Sequence, residues 1–334
     1  MAANLPRAQA LPATLEPMLP APAVEPFDSD KHFFELEWDS LRALVFLEGG
    51  HVRVQDIYQR DVTARFPELA QLAGRMRGDG VILDGEIVAL DETGRPDFGR
   101  LQRRLAAADS EAARLSMDHP FTYLASDILY AHGQPLLQAP LTQRKSTLQR
   151  LVRPAECLFV SEYTEGEGIA FFEAARDNGL GGVSARLKAS PYLPGGRSEN
   201  WLSLRVFQVQ EFVIGGYTFG GPSGAKGKRG AGPVASLLVG LFDSEGDLYY
   251  VAEVPVGLPP AEATSLAATL DSLVSADSHF ALPPRLQRLA YWCRPELACR
   301  LRFSSWTADG TLRFPVFVGL RPDVPAQFCR IEGS

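Results

Sequence analysis

Three carboxylates and an arginine, Glu35, Glu37, Asp39 and Arg42, interrupt the otherwise apolar stretch FELEWDSLRALVF at residues 34–46. The apolar residues predict a strand here, and alternate side chains of a strand share one face. The carboxylates at every second position would therefore lie side by side. An acidic row of this kind indicates a site where chemistry is carried out, or was carried out in an ancestor.

The segments around this stretch predict a mixed α+β domain. Residues 34–46 and 51–57 predict a β-hairpin, because Gly49-Gly50 supplies the positive φ angles of a tight turn. Apolar residues at helical spacing predict helices, and short apolar or β-branched runs predict strands. Further helices are expected at 66–76, 101–115, 141–152 and 167–179, and further strands within 81–98 and at 121–131, 157–163, 181–187 and 201–217.

The pattern changes after residue 208, where short β runs replace the alternation of helices and strands. These runs lie at 210–219, 234–243, 247–256, 297–306 and 312–321, and a helical stretch at 260–276 separates the third from the fourth. Five strands with one such helix suit a small Greek-key barrel of the OB type. We therefore expect an N-terminal tail at 1–11, a first domain at 12–207 and an OB domain at 208–334.

Length and composition are those of a globular chain with two ordinary domains. The 334 residues are 46% hydrophobic, and with a net charge of −7 neither half is a basic nucleic-acid surface by composition alone. No apolar run reaches the length of a membrane span, and the N-terminus has no apolar signal-peptide core, so a cytoplasmic location is expected. The four scattered cysteines lack ligand spacing and are expected to be buried reduced thiols.

The order of segments resembles, from about residue 12 to the C-terminus, that of ATP-dependent DNA ligases of the bacterial end-joining type. The segments that carry the resemblance are FELEWDSLRAL, VILDGEIVAL, FTYLASDILY, GGVSARLKASPYLPGGRSENWLSLR and FSSWTADGTLRFPVFVGLRPD. The resemblance implies an α+β, ATP-grasp-like nucleotidyltransferase domain followed by an OB-fold β-barrel. It also implies ATP and magnesium as cofactors, nicked or broken double-stranded DNA as partner, and work in DNA repair at the bacterial nucleoid.

The first motif of these ligases, Lys-x-Asp-Gly-x-Arg, contains the lysine that attacks the α-phosphate of ATP. Asp39 and Arg42 match its aspartate and arginine, which puts Glu37 at the nucleophile position and Ser40 at the glycine. A carboxylate cannot form the phosphoramidate, and at neutral pH it repels the triphosphate. An alternative nucleophile, Lys31, lies upstream, but no Asp-Gly-x-Arg follows it at the motif spacing.

Other motifs of the family are altered as well. Ile57 replaces an arginine that contacts phosphate and ribose, and Ser126 replaces a phenylalanine that stacks on adenine. Such stacking is worth roughly 1–3 kcal/mol, so its loss weakens nucleotide binding. Gly181 replaces a metal-binding glutamate, and Arg186 stands at the lysine of the same motif. The metal site implied by the family would therefore retain Glu86 but lose the carboxylate at position 181.

The last two motifs lose further lysines. Ser203 and Arg205 stand where lysines contact the ATP phosphates, and Val324 replaces a lysine. Arg186 and Arg205 keep a positive charge with affinity for phosphate, but a guanidinium is not a usable nucleophile. The residues that match the family pattern are Glu35, Asp39, Arg42, Asp84, Glu86, Trp201 and Arg321.

Ion pairs and strand packing are an alternative role for each of these retained residues. For Glu86 two interpretations stay open, a contact with ribose or metal, and a capped turn or salt bridge. A glycine-rich loop at 220–232 holds Lys226, Lys228 and Arg229, which either contact the DNA backbone or form a solvated hairpin tip.

The leading hypothesis is a DNA-repair factor without ligase activity that binds nicked or broken DNA or a repair protein. One alternative is an active ligase whose nucleophile comes from another residue or another chain. A second alternative is a protein-interaction module with no role on DNA.

Overall fold

The computed structural model describes residues 10–23, 25–92, 94–219, 233–286, 288–307 and 309–331. The chain divides into two compact units between Val206 and Phe207. Each unit has its own hydrophobic core.

The first unit combines strands with short helices. Its strands are β1 (Leu19–Pro22), β2 (Ser29–Glu37), β3 (Leu41–Glu48), β4 (His51–Asp56), β5 (Val81–Val88), β6 (Thr122–Ala131), β7 (Gln134–Pro135), β8 (Leu158–Val160), β9 (Thr164–Gly166), β10 (Gly182–Leu187) and β11 (Arg197–Arg205). Its helices are α1 (Phe98–Ala106), α2 (Asp109–Asp118), α3 (Leu141–Leu151) and α4 (Gly168–Asp177), with 3₁₀ turns at Thr63–Arg65 and Pro67–Arg75.

The strands of the first unit form two sheets in the described part of the chain. One has the order β1-β11-β10-β2-β9, and the other has the order β4-β3-β5-β6-β7 with β8 beside β6. The prediction of one continuous strand at 34–46 is wrong. The strand β2 ends at Glu37, and β3 begins at Leu41 in the other sheet. The chain bends at Asp39 and Ser40. The apolar pattern continues on both sides of the bend, so the pattern does not reveal it.

Side chains of both sheets meet in a buried cluster that includes Phe46 and Trp201. Leu11 packs against this cluster, one residue before the predicted start of the domain. A second cluster includes Leu148 of α3 and covers one side of the β3-β5-β6 sheet. A third includes Ala175 of α4 and covers the sheet that contains β2. The two sheets are therefore stacked between outer layers of helix.

Local predictions in this unit have mixed outcomes. The β3-β4 hairpin is confirmed, with φ of +60° at Gly49 and +76° at Gly50. The segment predicted as a helix at 66–76 is a 3₁₀ run rather than an α-helix. The helix predicted at 101–115 is two helices, because Ala107 and Ala108 have extended backbone angles.

The second unit is built mainly of strands. They are β12 (Gln208–Phe219), β13 (Val234–Phe242), β14 (Leu248–Pro255), β15 (Val274–Ser275), β16 (Ala290–Cys293), β17 (Ala298–Phe303), β18 (Ser305–Trp306), β19 (Leu312–Arg313) and β20 (Val316–Leu320). One helix, α5 (Pro260–Asp271), and a 3₁₀ turn at Ala326–Phe328 complete the described elements.

The predicted OB arrangement is confirmed in this unit. β12 pairs with β13, β16 and β17, β13 pairs with β14, and β17 pairs with β20. The helix α5 follows the third of the five predicted runs, as expected. The strand predicted at 201–217 is divided into β11 and β12. The runs predicted at 297–306 and 312–321 are each divided into two strands, β17 with β18 and β19 with β20. The predicted helical stretch ends early, at Asp271, where β15 follows, and β16 was not predicted.

The cysteines and the helices bear on two further expectations. The four cysteines are free thiols, of which Cys293, Cys299 and Cys329 are buried as predicted, while Cys157 is half-buried. No helix within the described residues has the length and apolarity needed to cross a membrane.

Candidate functional site

Most of the motif residues of the first unit lie where β2, β3 and β5 meet β10 and β11. Antiparallel pairing sets Gly182 opposite Glu37 and Arg42 opposite Glu86. Residues far apart in the sequence thereby come within hydrogen-bond distance, since Ser203 Oγ lies 2.8 Å from Glu37 Oε2. The sheets therefore bring together side chains that the sequence analysis assigned to different motifs.

Glu37 is the residue that the motif comparison predicts at the position of the attacking lysine. Its carboxylate accepts a hydrogen bond from the hydroxyl of Ser203. The motif comparison predicts Ser203 at the position of a phosphate-binding lysine. Burial raises the pKa of Glu37, although the Ser203 hydrogen bond and the charges of Arg205 and Arg42 oppose that rise. The side chain at this position is thus a partly buried carboxyl group with no amine to offer.

Glu86 on β5 is the second carboxyl group of this site. Burial, and then the charge of Glu37, raise the pKa of Glu86 to about 7, against hydrogen bonds from the Ser40 side chain and the Trp38 backbone and the charge of Arg42. Its Oε2 atom is buried and has no hydrogen-bond partner among the described residues. The hydrogen bonds fit the capped-turn interpretation, and the unpartnered oxygen fits a ligand contact, so both interpretations of Glu86 stay open.

Arg42, Asp84 and Trp201 form a rigid support beside these carboxyl groups. Arg42 Nε and Nη2 donate to the two oxygens of the fully buried Asp84 at 3.1 and 2.7 Å. The Tyr192 hydroxyl donates to Asp84 Oδ2 at 2.7 Å. The guanidinium carbons of Arg42 and Arg186 lie 4.2 and 4.3 Å from the ring centroid of Trp201. These contacts are the ion-pair and packing roles that the sequence analysis gave as an alternative for the retained residues.

A cluster of buried charges, which we call the ion cluster, lies next to this support. Its members are Glu35, Asp127, Arg144, Lys145 and Arg186, each at most 3% exposed. Arg144 donates to both oxygens of Asp127 at 2.9 and 3.0 Å, and Arg186 donates to Asp127 and, at 3.5 Å, to Glu35. Lys145 Nζ donates to Glu35 and, at 2.9 Å, to the Ser126 carbonyl oxygen.

These pairs determine the charge state of the ion cluster. Burial acts to raise the pKa of Asp127, but Arg186 and Arg144 outweigh it and hold that pKa below its usual range. Burial lowers the pKa of the Lys145 ammonium against the opposing charge of Glu35. A nucleotide that contacted Glu35 or Arg186 would have to replace existing protein ion pairs, which is costly for buried charges.

The sequence analysis did not identify Asp127, Arg144, Lys145 or Tyr192 as members of the site. A signal for two of them exists in α3, where Arg144 and Lys145 follow Leu141 by three and four positions and so share the buried face with Leu148. Charged residues at apolar-face positions of a helix indicate a buried ion pair. Lys31, the alternative nucleophile, is exposed on β2.

The residues present do not fit the metal that the family implies. Among the described residues, no three His, Cys, Asp or Glu side chains are grouped so that they could hold a metal ion. A Cβ atom at Gly181 would lie 3.3 Å from the Glu37 carbonyl oxygen and 3.6 Å from Asp39 Oδ1, so a side chain at this position would start beside the site. Glu86 keeps an available oxygen, but its companion carboxylate is missing.

The remaining predicted residues are placed as follows. Ile57 is 39% exposed in the turn after β4. The Ser126 hydroxyl donates to the Asp84 carbonyl oxygen at 3.2 Å, and Arg205 ends β11. Arg321 belongs to the second unit, where its guanidinium donates to Glu211 at 2.5 Å and to Asp323 at 2.7 and 2.8 Å. The predicted DNA contacts Lys226, Lys228 and Arg229 lie outside the described residues.

Two stacked sheets that bring ligase motif positions together, followed in the chain by an OB barrel, define a protein of the nucleotidyltransferase–OB class. The family model "ATP dependent DNA ligase domain" matches residues 17–205, and "ATP dependent DNA ligase C terminal region" matches residues 230–324. The chain belongs to the ATP-dependent DNA ligase family.

Individual relatives are similar over most of this chain. It is 36% identical over 292 residues to the multifunctional non-homologous end joining protein LigD of Mycobacterium bovis, which covers 87% of this chain and 36% of that protein. Against LigD of Mycolicibacterium smegmatis the identity is 33%, over 94% of this chain and 39% of the relative. The chain thus spans little more than a third of the length of these relatives.

A solved structure shows the same likeness in three dimensions. The mycobacterial DNA ligase D complexed with ATP and MES is 32% identical, with a TM-score of 0.52, and the match covers 95% of this chain and 98% of that one.

Proposed function

We propose that this protein is a ligase homologue in DNA repair that does not adenylate itself and that binds nicked or broken duplex DNA or a repair protein. The observation that carries the proposal is the carboxyl group of Glu37 at the predicted nucleophile position. This carboxyl group accepts a hydrogen bond from Ser203. Formation of the lysyl-adenylate needs an amine with a free electron pair at that position. A carboxylate is not an amine, and its negative charge repels the approaching triphosphate.

Altered nucleotide and metal contacts support the same proposal. The family depends on ATP and a metal ion, but here Ser126 replaces the stacking ring and Gly181 the metal carboxylate. Arg186, at a motif position for phosphate binding, is committed to Asp127 and Glu35. Weak or absent binding of ATP and magnesium follows, because several contacts that act together on the nucleotide are changed at once.

The DNA role rests on family membership and on the relatives named for end joining. A ligase homologue that lost its chemistry could keep the surface that contacts the DNA backbone, because such contacts depend on charge and shape rather than on the nucleophile. The Lys226, Lys228 and Arg229 side chains would contribute about three phosphate contacts, so the binding they support is modest and weakens steeply with salt. A role at the nucleoid belongs to this same proposal.

One specific alternative is an active ligase with a displaced nucleophile. Lys145 favours it, since burial lowers the pKa of this amine and the amine contacts Glu35 on the same strand as Glu37. Its two hydrogen bonds, to Glu35 and to the Ser126 carbonyl oxygen, oppose it, because an ammonium held in this way has no electron pair to donate.

Incubation with α-labelled ATP and magnesium, followed by a denaturing gel and intact-mass measurement, tests the proposal. We expect no labelled band and no mass increase that matches AMP. A stoichiometric adduct in the wild type that disappears in Lys145→Met but persists in Lys31→Met would overturn the proposal in favour of the displaced nucleophile.

DNA binding is tested separately by fluorescence anisotropy with a nicked duplex and its intact counterpart over a range of salt concentrations. We expect preference for the nicked duplex and a linear fall of log affinity with log salt. A triple alanine variant at Lys226, Lys228 and Arg229 should make the slope of log affinity against log salt shallower by the contribution of about three phosphate contacts. Lys188→Ala should leave this slope unchanged. Absence of binding at low salt would favour a protein-interaction module with no role on DNA.

A further inference from the structure

The second unit contains a cavity at one end of its barrel. The cavity has a volume of about 550 Å³, and the residues that line it include Leu241, Tyr249, Tyr250, Trp306, Asp309 and Ile331. Its wall is thus formed by the β13-β14 hairpin and by the 304–315 connection between β17 and β20. The volume lies within the range of sites that hold a small ligand or one large side chain.

Aromatic side chains form much of the wall of this cavity, and two of them pack against other aromatic rings. Trp306 is 39% exposed, yet its ring contacts Phe212 and Phe303 at centroid distances of 6.1 and 5.5 Å. Tyr250 meets Phe280 edge to face at 5.6 Å. Tyr249 is 38% exposed. These rings therefore offer aromatic surface to a ligand with little loss of side-chain entropy.

The charged group in the cavity wall is a carboxylate. The Thr307 and Thr311 hydroxyls donate to Asp309 Oδ1, and the Thr307 bond is the main reason why the pKa of Asp309 is below its usual range. Asp309 is therefore ionised at neutral pH. Lysine and arginine are absent from the described residues that line the cavity.

The turn that joins β13 to β14 adds to the negative charge near this wall. It carries Asp243, Glu245 and Asp247. Asp243 lies two positions after Leu241, and Asp247 lies two positions before Tyr249. The Asp243 carboxylate accepts the backbone N–H groups of the turn, while Glu245 and Asp247 are exposed. Arg330, which precedes Ile331, donates through Nε to the Gln327 carbonyl oxygen.

The geometry points to a binding site for an arginine side chain of a partner protein in this cavity. A guanidinium stacks on the faces of tryptophan and tyrosine, and it forms charge-assisted hydrogen bonds to a carboxylate. The negative charge of the wall and of the adjacent turn attracts such a cation and repels the phosphates of a nucleic acid. This inference rests on the proposed partner-binding function and names the chemistry of the partner.

The 334-residue protein labelled with fluorotryptophan provides the test, because fluorine NMR resolves its four tryptophans and Trp306→Phe assigns the signal of Trp306. The probe is N-acetyl-arginine amide, and its neutral isostere N-acetyl-citrulline amide is the control ligand. We expect a saturable shift of the Trp306 signal with the arginine probe only. Asp309→Asn should weaken binding about tenfold, because it removes the charge but keeps an oxygen that accepts the threonine hydrogen bonds.

A matched control variant is Glu262→Gln, which removes an exposed carboxylate from α5 and should leave the probe affinity unchanged. Equal responses to arginine and citrulline probes would overturn the inference, and so would the absence of any saturable response. A response to AMP but not to the arginine probe would also overturn it and would assign the cavity to a nucleobase. Nicked-duplex binding by Asp309→Asn, measured in parallel, separates failure of this site from failure of the proposed function.

Discussion

Replacement of Glu86 by glutamine is expected to stabilise the first unit at and above neutral pH and to leave its stability unchanged in acid. The carboxyl group is buried on β5, faces the charge of Glu37, and has a pKa raised from 4.5 to about 7. The folded protein therefore holds the Glu86 proton more tightly than the unfolded chain does. The stability that comes from the protonated form is complete below about pH 4.5 and is lost as the pH rises through about 7.

The size of the effect follows from the two pKa values. One unit of difference between the folded and unfolded pKa corresponds to about 1.4 kcal/mol, so the ionised Glu86 carboxylate costs at most about 3.5 kcal/mol of unfolding free energy above neutral pH. Glutamine has the same shape and no charge to ionise. The variant should therefore be more stable than the wild type by up to about 3.5 kcal/mol at pH 8, with the difference vanishing below about pH 4.5.

Urea unfolding at a series of pH values measures this difference. Trp38 and Trp201 lie in the first unit, whereas Trp292 and Trp306 lie in the second. Changing the latter two to phenylalanine lets tryptophan emission report the first unit alone. Glu173→Gln, which removes an exposed carboxylate from α4, is the matched control and should give a stability curve parallel to that of the wild type.

The neighbouring carboxylate provides a second check of the same reasoning. Because the charge of Glu37 is the second cause of the raised Glu86 pKa, Glu37→Gln should reduce the loss of stability between about pH 4.5 and 7. Parallel curves for wild type and Glu86→Gln over this range would refute the assignment of a buried, proton-retaining carboxyl group to Glu86.

Glu37→Lys alone should seal no nicks, whereas a fourfold variant should at least label itself with ATP, because contacts that act as a unit are not restored singly. The fourfold variant adds Ser126→Phe, Gly181→Glu and Ser203→Lys to Glu37→Lys. If Glu37→Lys alone sealed nicks near the rate of ordinary ligases, the proposed decay of the whole site would be wrong. Asp127→Asn should destabilise the first unit by about 3–5 kcal/mol in urea, because it removes the carboxylate that pairs with the buried guanidiniums of Arg144 and Arg186, while the exposed Asp118→Asn should change stability by less than about 1 kcal/mol. Limited proteolysis should cut near residue 206 between independently folded domains, and cleavage confined to the N-terminal tail and the 220–232 loop would speak against a mobile boundary.

The sequence by itself determined the features that depend on residue type and short-range pattern. The prediction that Glu37 stands at the motif position of the lysine comes from one short motif. The β3-β4 hairpin follows from Gly49-Gly50, and the OB barrel follows from short β runs with one helix at a fixed place. Each of these depends on neighbours along the chain, and sequence analysis compares such neighbours directly.

Only the tertiary structure decided which charged groups meet. Lys145 and Glu35 are 110 positions apart, and Arg186 and Asp127 are 59 apart, so neither pair is visible in a local pattern. The bend at Asp39 that carries the chain from one sheet to the other is equally hidden, because both sides of it are apolar strands. The pKa of Glu86 depends on burial and on the distance to another strand, and these quantities exist only after the sheets have packed.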